Sequence, residues 1–395
     1  MSSQLVSHSA DLRRLQEEGY DIEIRSSNLL VRVPYVTSNQ VVASGLIVSE
    51  LTTSGNVTTP PNTHVVSFVG ATEDDLPCDN FGRTLDDLIN SRERVALGSG
   101  LAASCTFSHK PDPTYPDYYE KMSTYANMLL GYAQAIDPGA TAKTFPPIPT
   151  DEGESEFRYF DSATSRARIG AVTDKLRVKK VVLVGVGGTG SYVLDLVSKT
   201  PVQEIHLYDH DTLLTHNAFR APGAASLDEL RAAPKKVAYL QAKYDAMHRG
   251  IIAHDADVDA TNVEELRDAN FVFISIDGGP SKRFLIQKLE EFGVPFIDVG
   301  IGVYQVGDSL AGMVRTTAGT PGCTDHIWTN SRISFADDGA DEYDQNIQIA
   351  DLNMLNAALA VIKWKKLIGF YSDFEHEYSS TYTIDGNHLL NEDQK

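Results

Sequence analysis

The sequence predicts an α/β protein with a doubly wound, mostly parallel sheet, preceded by a smaller α+β domain. From about residue 180 onward, short apolar runs alternate with amphipathic stretches, as strands and helices do when helices cover both faces of a parallel sheet. Before residue 137, apolar and polar residues alternate one by one, and a single helical stretch follows. A chain of 395 residues is long enough for two such cores.

The first domain is predicted over residues 1–137. We expect its strands in "DIEIRSSNLLVRVPYV", "VVASGLIVSEL" and "HVVSFVG", and its helix in "YPDYYEKMSTYANMLLGYAQAID". Cys78 follows His64 near a turn, and Cys105 precedes His109, but small buried cysteines explain both better than a thiol site does. No motif in this domain indicates a function.

A proline-rich segment, residues 138–165, is predicted to be a linker, because prolines prevent regular pairing and its polar residues cannot form a core. The second domain is predicted over residues 166–372, and residues 373–395 form a tail. We expect its strands in "KVVLVGVG", "EIHLYDHD", "NFVFISID" and "VPFIDVGIGV". Helices are expected in "PKKVAYLQAKYDAM", "SKRFLIQKLEEF" and "NIQIADLNMLNAALAVIKWKKLIGFY". This alternation predicts a mostly parallel sheet.

Composition excludes several classes of protein. A formal net charge of −20 repels polyphosphate backbones, so nucleic acid is not an expected partner. No apolar run is long enough to cross a bilayer, and the N-terminus lacks the pattern of a secretory signal, so we expect a cytoplasmic protein without membrane contact. The three cysteines lie far apart, which argues against a disulfide framework.

A glycine cluster follows the first strand of the second domain, in "VVLVGVGGTGSYVLDLVSKT". Gly185, Gly187 and Gly190 fit G-x-G-x-x-G, and Gly188 is a fourth glycine. Such a loop lets phosphate oxygens reach backbone N–H groups at the start of a helix, where an anion is favoured. The pattern is weak alone, since close packing of strand and helix also needs glycines.

Polar residues after the next strands point to the nucleotide. Asp209 stands where an acidic residue meets ribose hydroxyls, which NAD and ATP both carry. Asp211, Asn217 and Arg220 follow, and then the lysines of "APKKVAYL". A dehydrogenase has no need of this basic set, whereas cleavage of a triphosphate at its α-phosphorus builds charge on the departing pyrophosphate. The pattern therefore favours ATP.

Asp277 ends the strand "NFVFISID", at the edge of the sheet where ligands of open α/β proteins bind. Together with Asp211 it could hold Mg²⁺, a cation that accepts one or two carboxylates besides phosphate oxygens and water.

These residues resemble a known family. "GVGGTGS", "DHDTLLTHNAFR", the lysine before Val237 and "SID…KR" are similar to the ThiF/MoeB-type adenylyltransferases of the ubiquitin-activating-enzyme superfamily, over residues 166–371. The resemblance implies a Rossmann-like adenylation domain that uses ATP and Mg²⁺ to activate the C-terminal carboxylate of a ubiquitin-like protein ending in glycine. It also implies a homodimer, onward transfer to an acceptor similar to a ubiquitin-conjugating enzyme, and a role in protein recruitment for the first domain.

The resemblance also assigns roles to residues. Asp209 would hold the ribose, Asn217 and Arg220 the phosphates, and Lys236 the α-phosphate region. Asp277 would hold Mg²⁺ with help from Asp211. Lys235 is an alternative to Lys236, because the family has one lysine where this chain has two. Family members donate an arginine to the partner's site, and "SRARIG" offers Arg166 and Arg168 for this, although it departs from the family pattern.

Cys323 is the one cysteine of the predicted adenylation domain. Its position resembles a family zinc ligand, but Cys323 with His326 is only half a zinc site, so no structural zinc is expected. The segment "TNSRISFADDGADEYDQN", where relatives carry a thioester cysteine, contains none. Cys323 is a weaker candidate for a covalent intermediate than direct transfer or an ester on Thr329, Ser331 or Ser334.

Two rival functions remain open at the level of sequence. An NAD(P)-dependent oxidoreductase would retain the glycine loop and Asp209 but has no use for Arg220, Lys236 and Asp277. A non-catalytic scaffold with a degenerate nucleotide site is the second rival, and the intact polar set argues against it.

Overall fold

The computed structural model describes residues 2–72, 74–98, 100–150, 153, 155–335 and 347–394. The chain divides into two compact units, one of Met1–Thr150 and Phe160–Arg168 and the other of Asp151–Tyr159 and Ile169–Lys395. The segment predicted as a linker, residues 138–165, is thus shared between the two units. Its predicted boundaries stay a prediction.

The first unit is an antiparallel sheet with helices. Its helices are α1 Ser2–His8, α2 Ala10–Glu17, α3 Tyr118–Ile136 and α4 Ser162–Ala167. Its strands are β1 Ile22–Arg25, β2 Asn28–Val36, β3 Val42–Glu50, β4 Thr53–Ser54, β5 Val57–Thr58, β6 Val65–Val69, β7 Ile89–Ser91, β8 Val95–Gly98, β9 Leu101–Ala103 and β10 Cys105–Ser108. The main sheet has the order β1-β2-β3-β6-β10-β7.

Helix α3 forms where the sequence predicted it. It begins after Asp117, whose side chain accepts a hydrogen bond from the Glu120 N–H group at 2.8 Å. Its buried stripe, with Met122, Tyr125 and Leu129, packs on sheet residues such as Phe68 and Phe107. The prediction of an α+β domain before the parallel sheet is confirmed.

The second unit contains the parallel sheet. Its helices are α5 Gly170–Thr173, α6 Gly188–Val197, α7 Thr215–Ala218, α8 Leu227–Ala232, α9 Lys236–Tyr244, α10 Pro280–Phe292, α11 Asp325–Thr329 and α12 Ala350–Leu367, with 3₁₀ turns at Asp174–Leu176 and Val263–Leu266. Its strands are β11 Lys180–Val184, β12 Glu204–Tyr208, β13 Ile251–His254, β14 Phe271–Ile274, β15 Phe296–Val306, β16 Ser309–Gly319, β17 Ser379–Thr383 and β18 His388–Glu392.

The strand order of this sheet is β13-β12-β11-β14-β15-β16-β17-β18. All neighbouring pairs from β13 to β15 are parallel, and those from β15 to β18 are antiparallel. The chain moves outward in one direction after β11 and in the other after β14, so the order reverses between these two strands. The doubly wound, mostly parallel sheet is confirmed, and this reversal marks the edge at which such folds bind ligands.

Helices cover both faces of the sheet. On one face, Leu194, Leu240 and Trp364 of α6, α9 and α12 pack against the odd-numbered residues of β11 and β14. On the other, α10 packs Leu285, Ile286 and Leu289 against the even-numbered residues. Strands covered by helices on both faces are mostly apolar, as "VVLV" after Lys180 in β11 and "FVFI" in β14 are. No helix among the described residues is long and apolar enough to cross a membrane.

Candidate active site

The glycine loop lies between β11 and α6, where the strand order reverses. Gly185 has φ +85°, and a Cβ atom there would lie 2.6 Å from the Ser275 carbonyl oxygen. At Gly190 it would collide with the Gly185 carbonyl, and at Gly188 with the Asn353 amide. At Gly187, in contrast, a Cβ would meet open space. Packing therefore requires three of the four glycines, and the space above the loop is at Gly187.

Asp209 holds this loop in place. One carboxylate oxygen accepts a hydrogen bond from the Val186 N–H group and the other from the Asp211 N–H group, both at 2.9 Å. The side chain is nearly buried. Each carboxylate oxygen has a second lone pair, so the residue can accept further hydrogen bonds from a ligand's hydroxyl groups.

The two adjacent lysines point in different directions. Lys236 is buried, and its Nζ lies 2.6 Å from Asp211 Oδ2 and 3.7 Å from Asp209 Oδ1. Burial opposes ionisation of Asp211, but its hydrogen bond to Lys236 and the lysine's charge lower its pKa below the ordinary value. Lys235 instead bonds to the His210 carbonyl at 2.6 Å and pairs with Asp255 at 3.1 Å. The geometry favours Lys236 as the lysine of the site.

Asn217 and Arg220 carry buried donors without partners. The Asn217 Oδ1 accepts the Leu214 N–H at 2.8 Å, but its Nδ2 has no hydrogen bond within the described chain. The same holds for Arg220 Nε. Desolvation, and then the charges of Arg220 and Lys236, lower the pKa of His216 below its ordinary value. Buried donors without acceptors are rare in native proteins and suggest that a ligand supplies the acceptor.

Asp277 follows β14, beside the glycine loop. Two residues before it, the Ser275 hydroxyl donates a 2.6 Å hydrogen bond to the Gly185 carbonyl. Asp277 itself is exposed and has no hydrogen bond or ion pair in the described part of the chain. A group of three or more potential metal ligands does not occur among the described residues.

Asn353 of α12 belongs to the site, and sequence reasoning missed it. Its Oδ1 accepts a 2.8 Å hydrogen bond from the Thr189 hydroxyl, and its Nδ2 donates to the Arg220 carbonyl at 3.4 Å. The signal that could have revealed it is the spacing of Asn353 and Asn356, two amides three residues apart on a face that is otherwise apolar.

The remaining predicted residues lie elsewhere. Arg166 stacks on the Phe145 ring at 4.5 Å in the first unit, and Arg168 ends α4 with φ +57°. Their role at a partner's site stays a prediction. Thr329 donates to the Asp325 carbonyl at 2.7 Å, whereas residues 336–346 of the predicted transfer segment lie outside the described residues.

All three cysteines are buried and unpaired. Burial raises the pKa of Cys105 to about 12 and also raises that of Cys78. Cys323 forms backbone hydrogen bonds with Thr320, and the nearby His326 bonds through Nε2 to the Ala318 carbonyl at 2.9 Å. The expectation of no structural zinc stays a prediction, as does the weak candidacy of Cys323 as a nucleophile.

A glycine loop at the reversal point of a doubly wound sheet, with carboxylates and cations around it, defines the Rossmann-like class of nucleotide-binding proteins. Residues 163–389 match the ThiF family, and residues 10–162 match a domain of unknown function, DUF6791. Because the first match spans more than half of the chain, the chain belongs to the ThiF family, as the sequence motifs predicted. No curated protein matches it.

Solved structures show remote similarity. Escherichia coli MccB with succinimide is 20% identical, with a TM-score of 0.44, over 56% of this chain and 66% of that chain, just under two thirds. Another E. coli MccB structure is 18% identical, with a TM-score of 0.45, over 78% of this chain and 94% of that chain. PaaA is 16% identical, with a TM-score of 0.44, over 56% and 75% of the respective chains.

Proposed function

We propose that this protein is an ATP- and Mg²⁺-dependent adenylyltransferase that activates the C-terminal carboxylate of a ubiquitin-like protein ending in glycine. The products would be an acyl-adenylate and pyrophosphate, and the activated protein would then be conjugated to an acceptor. The observation that carries the proposal is the pair of buried donors without partners, Asn217 Nδ2 and Arg220 Nε, in the segment that follows Asp211, the partner of Lys236. A triphosphate offers acceptor oxygens and negative charge for all three groups.

The site fits ATP in two further respects. The open space at Gly187, next to the first N–H groups of α6, suits a phosphate, since those groups have no partner within the helix. Asp209 has lone pairs left for ribose hydroxyls after it has fixed the loop. ATP supplies the adenylyl group and leaves pyrophosphate behind.

The cations supply the charge stabilisation that the reaction needs. A carboxylate is already a nucleophile, so its attack on phosphorus needs alignment and charge neutralisation more than proton transfer. Arg220 and Lys236 would stabilise charge on the pyrophosphate, and the ion pair with Asp211 holds the lysine. Neither His210 nor His216 is required as a base.

Asp277 fits a role in holding Mg²⁺, because its carboxylate has no competing partner in the described chain and stands at the ligand edge of the sheet. Asp211 would assist. The metal would neutralise phosphate charge, and hard carboxylate oxygens are the protein ligands it prefers. From the resemblance to the family, we propose a homodimer in which Arg166 or Arg168 completes the partner's site. We also propose that the first domain recruits protein partners.

The first test is the choice of nucleotide. Calorimetry with ATP and Mg²⁺, and separately with NAD, should give binding only for ATP. Tight binding of NAD without a response to ATP would replace the proposal with an oxidoreductase.

The second test is exchange of labelled pyrophosphate into ATP in the presence of candidate ubiquitin-like proteins. The matched control is each candidate without its C-terminal glycine, which should give no exchange. Arg220→Ala, Lys236→Ala and Asp277→Ala should each lower the rate by about 10²–10³-fold, the usual cost of one preorganised charge. Lys235→Ala should cost at least tenfold less than Lys236→Ala. Near-normal exchange in all the variants would remove these residues from the site, whereas no exchange by wild type with any candidate would favour a scaffold.

A further inference from the structure

Two asparagines on consecutive turns of α12 have different partners. Asn353 and Asn356 are both fully buried. Asn356 bonds to the Thr316 hydroxyl at 3.2 Å and to the Gly300 carbonyl at 3.0 Å, within the antiparallel half of the sheet. Asn353 bonds to the glycine-loop helix and to the segment that carries Arg220. Of these two amides, that of Asn353 contacts the candidate site and that of Asn356 does not.

Asn353 joins three segments that are far apart in the chain. It accepts from Thr189 in the first turn of α6 and donates to the carbonyl of Arg220. A Cβ at Gly188 would collide with its amide, so the glycine is what allows this approach. An amide side chain can accept from one partner and donate to the other at a single position.

Between Leu214 and Arg220 the hydrogen bonds of the segment are mostly local. On either side the chain is attached, since the Leu213 N–H bonds to the Pro234 carbonyl and Lys243 bonds to the Pro222 carbonyl. Phe219 is 81% exposed and Leu214 50% exposed, so this segment buries little apolar surface. The Arg220 N–H group bonds locally to the Asn217 carbonyl at 3.1 Å. Asn353 therefore links the backbone of Arg220 to Thr189 of α6, the helix whose first turn lies next to the open space at Gly187.

We propose that Asn353 is a positioning residue that fixes the Arg220 guanidinium relative to the N-terminus of α6. It acts through Arg220 and does not itself touch the substrate. The proposal rests on the adenylyl-transfer function, because it concerns how the arginine meets the departing pyrophosphate. Loss of the amide should misplace the arginine even while the sheet and the glycine loop remain folded.

The test compares Asn353→Ala with Asn356→Ala, since both remove a fully buried amide from the same helix. Asn353→Ala should lower the rate of pyrophosphate exchange about tenfold, the effect of one ordinary hydrogen bond, and Asn356→Ala less than twofold. A double-mutant cycle gives the sharper result. With Arg220→Ala present, Asn353→Ala should cost little more, whereas Asn356→Ala should cost the same as it does alone. Additive effects of Asn353→Ala and Arg220→Ala would overturn the positioning role.

Amide hydrogen exchange without nucleotide separates this proposal from the proposed function. Residues 214–220 should exchange at least about tenfold faster in Asn353→Ala than in wild type or Asn356→Ala. If wild type neither binds nor uses ATP, the proposed function fails, whatever the exchange shows. If wild type is active and the segment is equally protected in all three proteins, the inference alone fails. Should Asn353→Ala not fold, Thr189→Val with Thr189→Ser as its rescue gives the same comparison.

Discussion

Among single residues, Lys121 is buried without a carboxylate partner. Its Nζ donates to the Ser49 hydroxyl and to the Thr63 carbonyl, both at 2.8 Å. Burial lowers its pKa from an ordinary 10.5 to about 8. Below pH 8 the lysine is charged in the folded and unfolded states alike, so its burial costs free energy of folding. The cost, about 3 kcal/mol at this shift, disappears as pH rises from 8 to 10.5.

We therefore predict that wild type gains stability relative to Lys121→Met as pH rises from 8 to 10.5. Exposed Lys110→Met is the control and should follow wild type. Urea unfolding should be followed by circular dichroism together with tryptophan fluorescence. Because Trp328 and Trp364 both lie in the second unit, the effect should appear in the dichroism and not in the fluorescence. A constant difference between wild type and Lys121→Met over this range would contradict the prediction.

Asp298 is a second residue whose removal should matter. It is fully buried at the carboxyl edge of the sheet, 2.8 Å from Lys282 and 2.7 Å from Arg315. Asp298→Asn would leave two cations with no carboxylate, and we expect a loss of about 3–5 kcal/mol in the free energy of unfolding. Asp228→Asn, which breaks an exposed pair with Arg231, should change it by less than about 0.5 kcal/mol. If both substitutions change the free energy of unfolding equally in denaturant titrations, the buried cluster contributes no more to stability than the exposed pair.

The sequence could predict single residues only where local chain geometry determines them. Asp209 and Asp277 follow strands, so the strand pattern alone predicted at which edge of the sheet they lie. The strand pattern could not decide between Lys235 and Lys236, because the direction of each side chain depends on where α9 begins. Asn353 was missed because its partners Thr189 and Arg220 are 164 and 133 residues away in the chain.

At the level of elements, the buried strands were the easiest to predict. Apart from Lys180, strands β11 and β14 are apolar. Strands β17 and β18, "SSTYT" and "HLLNE", are mostly polar and lie at the antiparallel end of the sheet. Residues 373–395, predicted as a tail, contain these two strands. Strand β17 pairs with β16, which lies about 60 residues earlier, and no local sequence pattern predicts this pairing.

Removal of residues 372–395 should therefore destabilise the second unit. It would expose the edge of β16 and remove Asp373 and Glu377, which pair with buried Lys363 at 2.9 and 3.6 Å. The measurements are urea midpoint and size-exclusion profile, and we expect a lower midpoint and aggregation. Adding Lys363→Met to the truncated chain should recover part of the midpoint and leave aggregation unchanged. A full midpoint after truncation would mean that β17 and β18 carry no stability.

At the scale of the whole molecule, the sequence distinguished two kinds of chain organisation. One-by-one alternation predicted the strands of the first domain, which the structure arranges as an antiparallel sheet. Longer apolar runs predicted the parallel sheet of the second. The boundary between them was harder, because proline-rich residues 138–165 are shared between both compact units. A shift in composition predicts where helices and strands end, but it does not predict which of two cores the irregular chain packs against.

The proposed homodimer can be tested by mixing subunits. A subunit with Arg166→Ala and Arg168→Ala, mixed with an Asp277→Ala subunit, should regain part of the exchange activity, because one of the two sites in a mixed dimer is then complete. The control mixes Asp277→Ala with Arg220→Ala. By our proposal these two residues lie in the same subunit's site, so both sites of a mixed dimer are defective and no activity should be regained. A monomer in solution, or arginine mixtures no better than their parents, would remove Arg166 and Arg168 from the site.

Because Cys78, Cys105 and Cys323 are buried, the native protein should react little with thiol-labelling reagents. Maleimide dyes react with exposed thiolates, and this chain presents none of its three sulfurs on the surface. A single cysteine introduced at Phe219, beside Arg220 and 81% exposed, would then carry the dye alone. Its fluorescence could follow the segment around Arg220 in real time as nucleotide, magnesium and the ubiquitin-like protein are added one after another.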